Sequence, residues 1–186
     1  MNKNGSGDSP YEIIEKKRTP LFSTKMLPVM SLLTAVEIVL AHFLSINAWN
    51  IRIGFSFVPI AMAGMLLGPL PTGIVAAAAD LLGALLFPTG PFFPGFTLTA
   101  FLTGVVFGQL LYQKQSPFRI LCAVLINQLV LSLLLNSFWI SVLYGSPYLP
   151  LLGTRIIQTA ILIPVQIVVI GALSRIPGLR AKKVNI

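Results

Sequence analysis

Charge is the first thing this chain lacks. Only 10% of its 186 residues are Asp, Glu, Lys or Arg, against about 25% in ordinary soluble domains. Acidic groups are the scarcest, with 5 Asp and Glu against 13 Lys and Arg. One histidine, His42, leaves no metal cluster, and one cysteine, Cys122, excludes an internal disulfide. No glycine-rich phosphate loop is present, so the chain cannot itself harness ATP. Gly54-Phe-Ser-Phe lacks the second glycine of a nucleophile elbow. The expectation is a protein that is not an enzyme and holds neither cofactor nor metal.

Apolar residues fill the space that charge leaves. They make up 55% of the chain, with a mean hydropathy of +0.87, and they are spread along nearly its whole length. This distribution implies an integral membrane protein with several spans and no separate soluble domain. The net charge of +8 flanks the spans instead of forming an aromatic-lined basic groove, so it reads as a topology signal and no nucleic-acid partner is expected. Residues 1–25 form a polar tail, 26–174 the membrane domain and 175–186 a basic tail. The first apolar run lacks an A-x-A cleavage site and reads as an uncleaved span.

Taking about 20 apolar residues per span, the sequence divides into six helices, an all-α bundle. They run from Met26 to Ile46, from after Arg52 to Leu67, from Thr72 to Phe87, from Gly95 to Tyr112, from Phe118 to Tyr144, and from Thr154 to Leu173. The breaks are Gly68-Pro69-Leu70-Pro71, a polar stretch at 113–117 and a Pro/Gly loop at 145–153. Pro164 is expected to kink the last helix. Six spans place both termini on one side. Of the 13 basic residues only Arg52 and Arg155 then fall elsewhere, so the positive-inside rule assigns both termini to the cytoplasm.

The connection from Phe87 to Thr99 then lies outside. It combines Pro88, Gly90, Pro91, Pro94 and Gly95 with Phe87, Phe92, Phe93 and Phe96. Backbone pinned by proline that still presents rings suits a loop covering a pocket; a flexible linker is polar. Trp49, Trp139, Tyr144 and Tyr148 fall near the same surface. An aromatic belt accounts for most of them, and stacking on a flat heterocycle is the sharper alternative.

Beyond the tails, two carboxylates remain, Glu37 and Asp80. A charged group on a membrane helix costs about 3 kcal/mol by insertion scales, so each asks for a reason: a packed hydrogen bond, a neutral, protonated acid facing another helix, or a binding role. His42 falls about 140° around the helix from Glu37, so the two are not expected to share a face. Arg52 and Arg155 stand where topology does not ask for them, and their planar donor forks match a carboxylate or phosphate; snorkelling is the alternative. Asn136, Asn127 and Gln128 offer further donors and acceptors, to a ligand or between helices. The small-residue pairs Ser31-x-x-x-Ala35 and Gly73-x-x-x-Ala77 permit close helix approach, within the bundle or to another membrane subunit.

The segments NIRIGFSFVPIAMAGMLLGP, ADLLGALLFPTGPFFPGFTLTAFLTG and LLNSFWISVLYGSPYLPLLGTRIIQ resemble the folate-specific substrate-binding (S) components of energy-coupling factor (ECF) transporters. The resemblance covers about Asn50 to Gln158. It implies a six-helix vitamin-binding subunit of a bacterial cell membrane that captures its ligand outside. Delivery would then occur with a T component and two cytoplasmic ATPases. Its implied partners are folate or a reduced folate, those subunits and the lipid membrane. In such proteins helices four to six and the outer loops usually form the site, and small residues on the first three meet the T component. That role is carried here to Ser31, Ala35, Gly73 and Ala77, with Ser31 standing where an alanine is usual.

Folate chemistry suits the inventory. A pterin presents a 2-amino group and N3–H side by side for a carboxylate, and its flat rings stack on Phe or Trp. The expected site is Asp80 or a helix-five polar group such as Asn136 for the pterin, Phe92, Phe93 and Trp139 for stacking, and Arg52 or Arg155 for the glutamate tail. Thr97 opens the pocket-lining helix. The alternatives are an S component for another vitamin and a stand-alone ion-coupled transporter using Glu37 and Asp80.

Overall fold

The computed structural model describes residues 26–43, 46–48, 51–88, 90–112 and 114–176, with the strands at 46–48 and 51–53 described by backbone alone. The expected N-terminal tail and most of the basic C-terminal tail lie outside the described residues, as does Trp49. Six helical rods appear among the described residues. They are α1 (Met26–His42), α2 (Phe57–Leu67), α3 (Pro69–Leu86), α4 (Pro94–Leu111), α5 (Pro117–Tyr144) and α6 (Tyr148–Leu173). Four of them, α3 to α6, are long and apolar enough to cross a membrane.

The all-α expectation needs one amendment. The first helix stops at His42, and the expected run to Ile46 gives way to a two-stranded antiparallel hairpin of β1 (Ile46–Ala48) and β2 (Ile51–Ile53). Asn47 pairs with Arg52 across it.

Proline also acts differently from the expectation of helix breaks. Pro69, Pro94 and Pro117 each open a helix in its first positions, where no intrahelical N–H bond is lost and the fixed φ is already helical. For the same reason α6 begins at Tyr148, with Pro150 in its first turn, so most of the expected loop at 145–153 is helix. What breaks the chain between α2 and α3 is Gly68 alone, at φ 87°, a conformation that side chains resist. Gly145, at φ 62°, ends α5 in the left-handed cap that glycine favours.

The second expected span is only 11 residues long, about 17 Å at 1.5 Å per residue, short of a bilayer core of about 30 Å. Phe57, Pro59, Ile60, Ala61, Ala63, Gly64, Met65 and Leu67 are all buried. A helix apolar on every side belongs inside a bundle, and α2 is enclosed by α1, α3, α4 and α6.

Glycine sets the spacing there. A Cβ on Gly64 would lie 2.9 Å from the Phe107 carbonyl carbon, one on Gly104 2.7 Å from Gly73 Cα, and one on Gly108 2.7 Å from the Gly68 carbonyl carbon. Backbones therefore touch where α4 crosses α2 and α3, through the Gly104-x-x-x-Gly108 repeat. Phe107 and Leu111 fill the adjoining core with Met65, Ile120 and Ile170. This apolar cluster lies toward the ends of α4 and α6 and the start of α5. Toward the hairpin and the 87–93 connection, the bundle encloses a cavity.

Helix α5 is not uniform. It is α-helical over Pro117–Leu125, π-helical over Ile126–Leu135 and α-helical again over Asn136–Tyr144. At about 100° per residue an α-helix would put Asn127 and Asn136 half a turn apart. The wider π winding, with its i→i+5 bonds, turns the chain less per residue, and both side chains face the cavity.

Candidate functional site

The cavity has a volume of about 530 Å³, within the range of small-molecule sites. All six helices reach it. Its mouth is formed by Gly90, Pro91, Phe92, Phe93 and Tyr144, its deeper wall by Thr103, Asn127, Gln128 and Gln166. Between them Glu37 and Asp80 stand on the α1 and α3 side, and Arg155 and Asn136 on the α5 and α6 side.

The stiff aromatic connection is built from behind. The Phe93 ring lies 5.5 Å from the Trp139 indole and 6.1 Å from Phe96. Gly95 makes room for this stack, since a Cβ there would come within 2.6 Å of Trp139 Cδ2. The Trp139 indole N–H donates to Thr99 Oγ1 at 3.1 Å, and the Thr99 hydroxyl donates to the Gly95 carbonyl at 3.0 Å. These bonds fix the ring that supports Phe93. Phe92 and Phe93 line the cavity, whereas Trp139 stands behind them.

Thr97 departs from its expected place on the pocket wall. Its hydroxyl donates to Asp80 Oδ2 at 2.7 Å, joining α4 to α3, and Thr99 and Thr103 face the cavity from the same helix. Asp80 does line the cavity, with that oxygen engaged. Asn136 lines it too, and its Oδ1 is buried without a hydrogen-bond partner. Thr103 donates to Asn127 Oδ1 at 3.1 Å.

Arg155 reaches the cavity from α6. Its guanidinium donates to the Ser132 carbonyl at 3.2 Å and to Ser137 Oγ at 3.4 Å. Tyr148 likewise donates to the Leu134 carbonyl at 3.3 Å. Two carbonyls of the π-helical stretch therefore accept from α6, tying the two helices that frame one wall. Arg52 lies in β2, and its side chain is outside the described residues.

Glu37 and His42 both line the cavity, although the helical wheel separated them. His42 sits at the end of α1, against Gly83 and 5.4 Å from the Phe87 ring. The residue that sequence reasoning passed over is Gln166, buried, like the Gln128 already singled out, with its side-chain oxygen unpartnered. Gln128 was readable only as a polar group on a span, and Gln166 carried no signal beyond being a polar residue next to Pro164. No group of three or more His, Cys, Asp or Glu fit to hold a metal occurs among the described residues.

The small-residue pairs divide. Ser31 and Ala35 are exposed on α1 beside Leu32, Val36 and Val39. Gly73 is buried against the Phe101 and Val105 side chains, where Gly104 backs onto it, so it serves packing between α3 and α4. Ala77 is half-buried.

Residues 25–174 match the family model of the ECF transporter substrate-specific component. The chain is 44% identical over 142 residues to the folate transporter FolT of Clostridium novyi, covering 76% of this chain and 83% of that protein. It is 28% identical over 155 residues to FolT of Leuconostoc mesenteroides. The crystal structure of FolT bound with folic acid superposes with a TM-score of 0.77 at 35% identity, covering 81% of this chain and 93% of that one. An S component for biotin shares the fold at a TM-score of 0.60 and 22% identity. The chain, a multi-pass membrane protein, therefore belongs to the substrate-specific components of the ECF transporters.

Proposed function

We propose that this protein is the folate-capturing subunit of an ECF vitamin transporter. It takes folate or a reduced folate from outside the cell and delivers it with a T component and two ATPases. The observation that carries the reading is the chemistry of the 530 Å³ cavity. Aromatic rings stand at its mouth, a guanidinium on one wall, and carboxylate and amide groups on the rest. A folate has matching parts: a flat pterin with side-by-side N–H donors, an aromatic linker, and a glutamate whose carboxylates call for a cation. FolT relatives, one of them holding folic acid, support the same ligand.

In this reading Phe92 and Phe93 cover the bound ligand. Arg155 takes the tail carboxylate, trading its bonds to Ser132 and Ser137 for a charged partner, with Arg52 of the hairpin as the second candidate cation. Asp80, Asn136 and the amides of α5 and α6 meet the heterocycle. Thr97 and Trp139 act indirectly, by holding Asp80 and Phe93. Both termini lie in the cytoplasm, and the exposed stripe at Ser31 and Ala35, with Ala77, faces the T component.

Titration calorimetry of the purified protein with folate tests the proposal. Saturable one-to-one binding is expected. Absence of binding by folate and its reduced forms in a folded sample overturns it and favours another vitamin. Uptake that needs co-expressed T component and ATPases, and survives collapse of the proton gradient, separates this reading from a stand-alone ion-coupled transporter.

A further inference from the structure

Several buried polar atoms of the cavity wall have no partner, and they mark where a ligand would bond. Glu37 is 6% exposed, lines the cavity, and its Oε2 has no hydrogen-bond partner. Asp80, the other carboxylate on that side, accepts from Thr97 through Oδ2. An unsatisfied carboxylate oxygen in a buried membrane site is held at a cost that a proton or a ligand donor relieves, and only the donor also fills the cavity. Gln128 Oε1, Gln166 Oε1 and Asn136 Oδ1 are unpartnered acceptors as well, so the wall as a whole asks for N–H groups.

We infer that Glu37, on the first helix, is the specificity-determining acceptor of the site, taking the paired 2-amino and N3–H donors of a pterin. This rests on the folate reading above. A carboxylate presents two oxygens in a plane, and an aminopyrimidinone edge presents two N–H groups in a plane, so the match is bidentate and charge-assisted. A ligand without the 2-amino group leaves Oε2 buried and unpaired, and sites built around such a bond reject the analogue strongly. Helix α1 then contributes to ligand choice as well as carrying the exposed Ser31 and Ala35.

The test is a cycle of two proteins and two ligands, read by titration calorimetry in detergent. The ligands are folate and an analogue in which a methyl group replaces the 2-amino group; the proteins are wild type and Glu37→Gln. Wild type is expected to prefer folate by at least about a hundredfold, and Glu37→Gln to lose most of that preference, with folate binding weakened by a similar factor. A variant that weakens both ligands equally, keeping the preference, assigns Glu37 a structural role and overturns the inference. So does folate affinity in the variant within about threefold of wild type. Wild-type protein that binds no folate overturns the underlying reading and this assignment together. If Glu37→Gln does not fold, the wild-type preference and Glu37→Asp, which retains the charge but shortens its reach, decide the matter: indifference of wild type to the 2-amino group overturns the inference.

Discussion

The Thr97 hydroxyl on α4 donates to Asp80 Oδ2 on α3 at 2.7 Å, across the two helices that pack most extensively in the bundle. The bond fixes one carboxylate of the cavity wall from behind. Replacing Thr97 by Val removes the donor while keeping the shape, and should destabilise the protein by about 1–3 kcal/mol. A double-mutant cycle with Asp80→Ala, which removes the acceptor, read by thermal unfolding in detergent, should show coupling above about 0.5 kcal/mol. Additive effects would mean the bond contributes nothing.

Gly104 stands where α4 meets the α3 backbone, and a Cβ there would press on Gly73 Cα and the Thr72 carbonyl. Neither neighbour is a flexible side chain. Gly104→Ala should therefore cost about 1–3 kcal/mol through forced backbone shifts, visible as a lower melting temperature. Gly153, with nothing near a Cβ, provides the control: Gly153→Ala should be neutral or slightly stabilising, because alanine is the better helix former.

Arg155 provides a test of which part of the ligand meets α6. Arg155→Met should weaken folate binding by about 10- to 100-fold, the value of a charge-assisted pair. Pteroate, which lacks the glutamate, should lose much less. An equal loss for both ligands would place Arg155 against the heterocycle or in the scaffold.

Phe93 is held between Phe96 and Trp139 and lines the cavity mouth. Phe93→Ala should raise the folate dissociation rate more than it lowers the association rate, since it removes a stacking surface from the bound state. Trp139→Phe keeps the ring but not the donor to Thr99, so a smaller effect of the same sign is expected in stopped-flow fluorescence. Unchanged dissociation in both variants would reduce the loop to a connector.

Topology has its own experiment. In a Cys122→Ser background, a cysteine at Ser146, between α5 and α6, should react with a membrane-impermeant maleimide on intact cells. One at Ser116, at the start of α5, should react only after lysis. The reverse pattern would invert the protein in the membrane.

The count of helices was legible because lipid leaves a helix little choice: each span needs a run of apolar residues, and the runs are separated by Gly, Pro and charge. Their ends were less so. The prolines at 69, 94, 117 and 150 read as breaks because the sequence does not say on which side of a break a proline falls; here all four lie in first turns. The burial of α2 on all but its Val58, Met62 and Leu66 face was also hidden, since an apolar helix reads the same facing lipid or protein.

Of the site, the aromatic loop, Asp80, Asn136 and Arg155 were readable as residues out of place in a membrane. The sequence by itself determined the membrane class, the number of helices and the aromatic, proline-pinned connection, because these follow from transfer energies and local backbone limits. Tertiary structure decided which polar groups meet. The π winding of α5 brings Asn127 and Asn136 to one face, Thr97 is spent on Asp80, and Glu37 is left buried with an unpaired oxygen. Hydrogen-bond partners lie on different helices, so only the packed bundle determines which acceptors remain for a ligand.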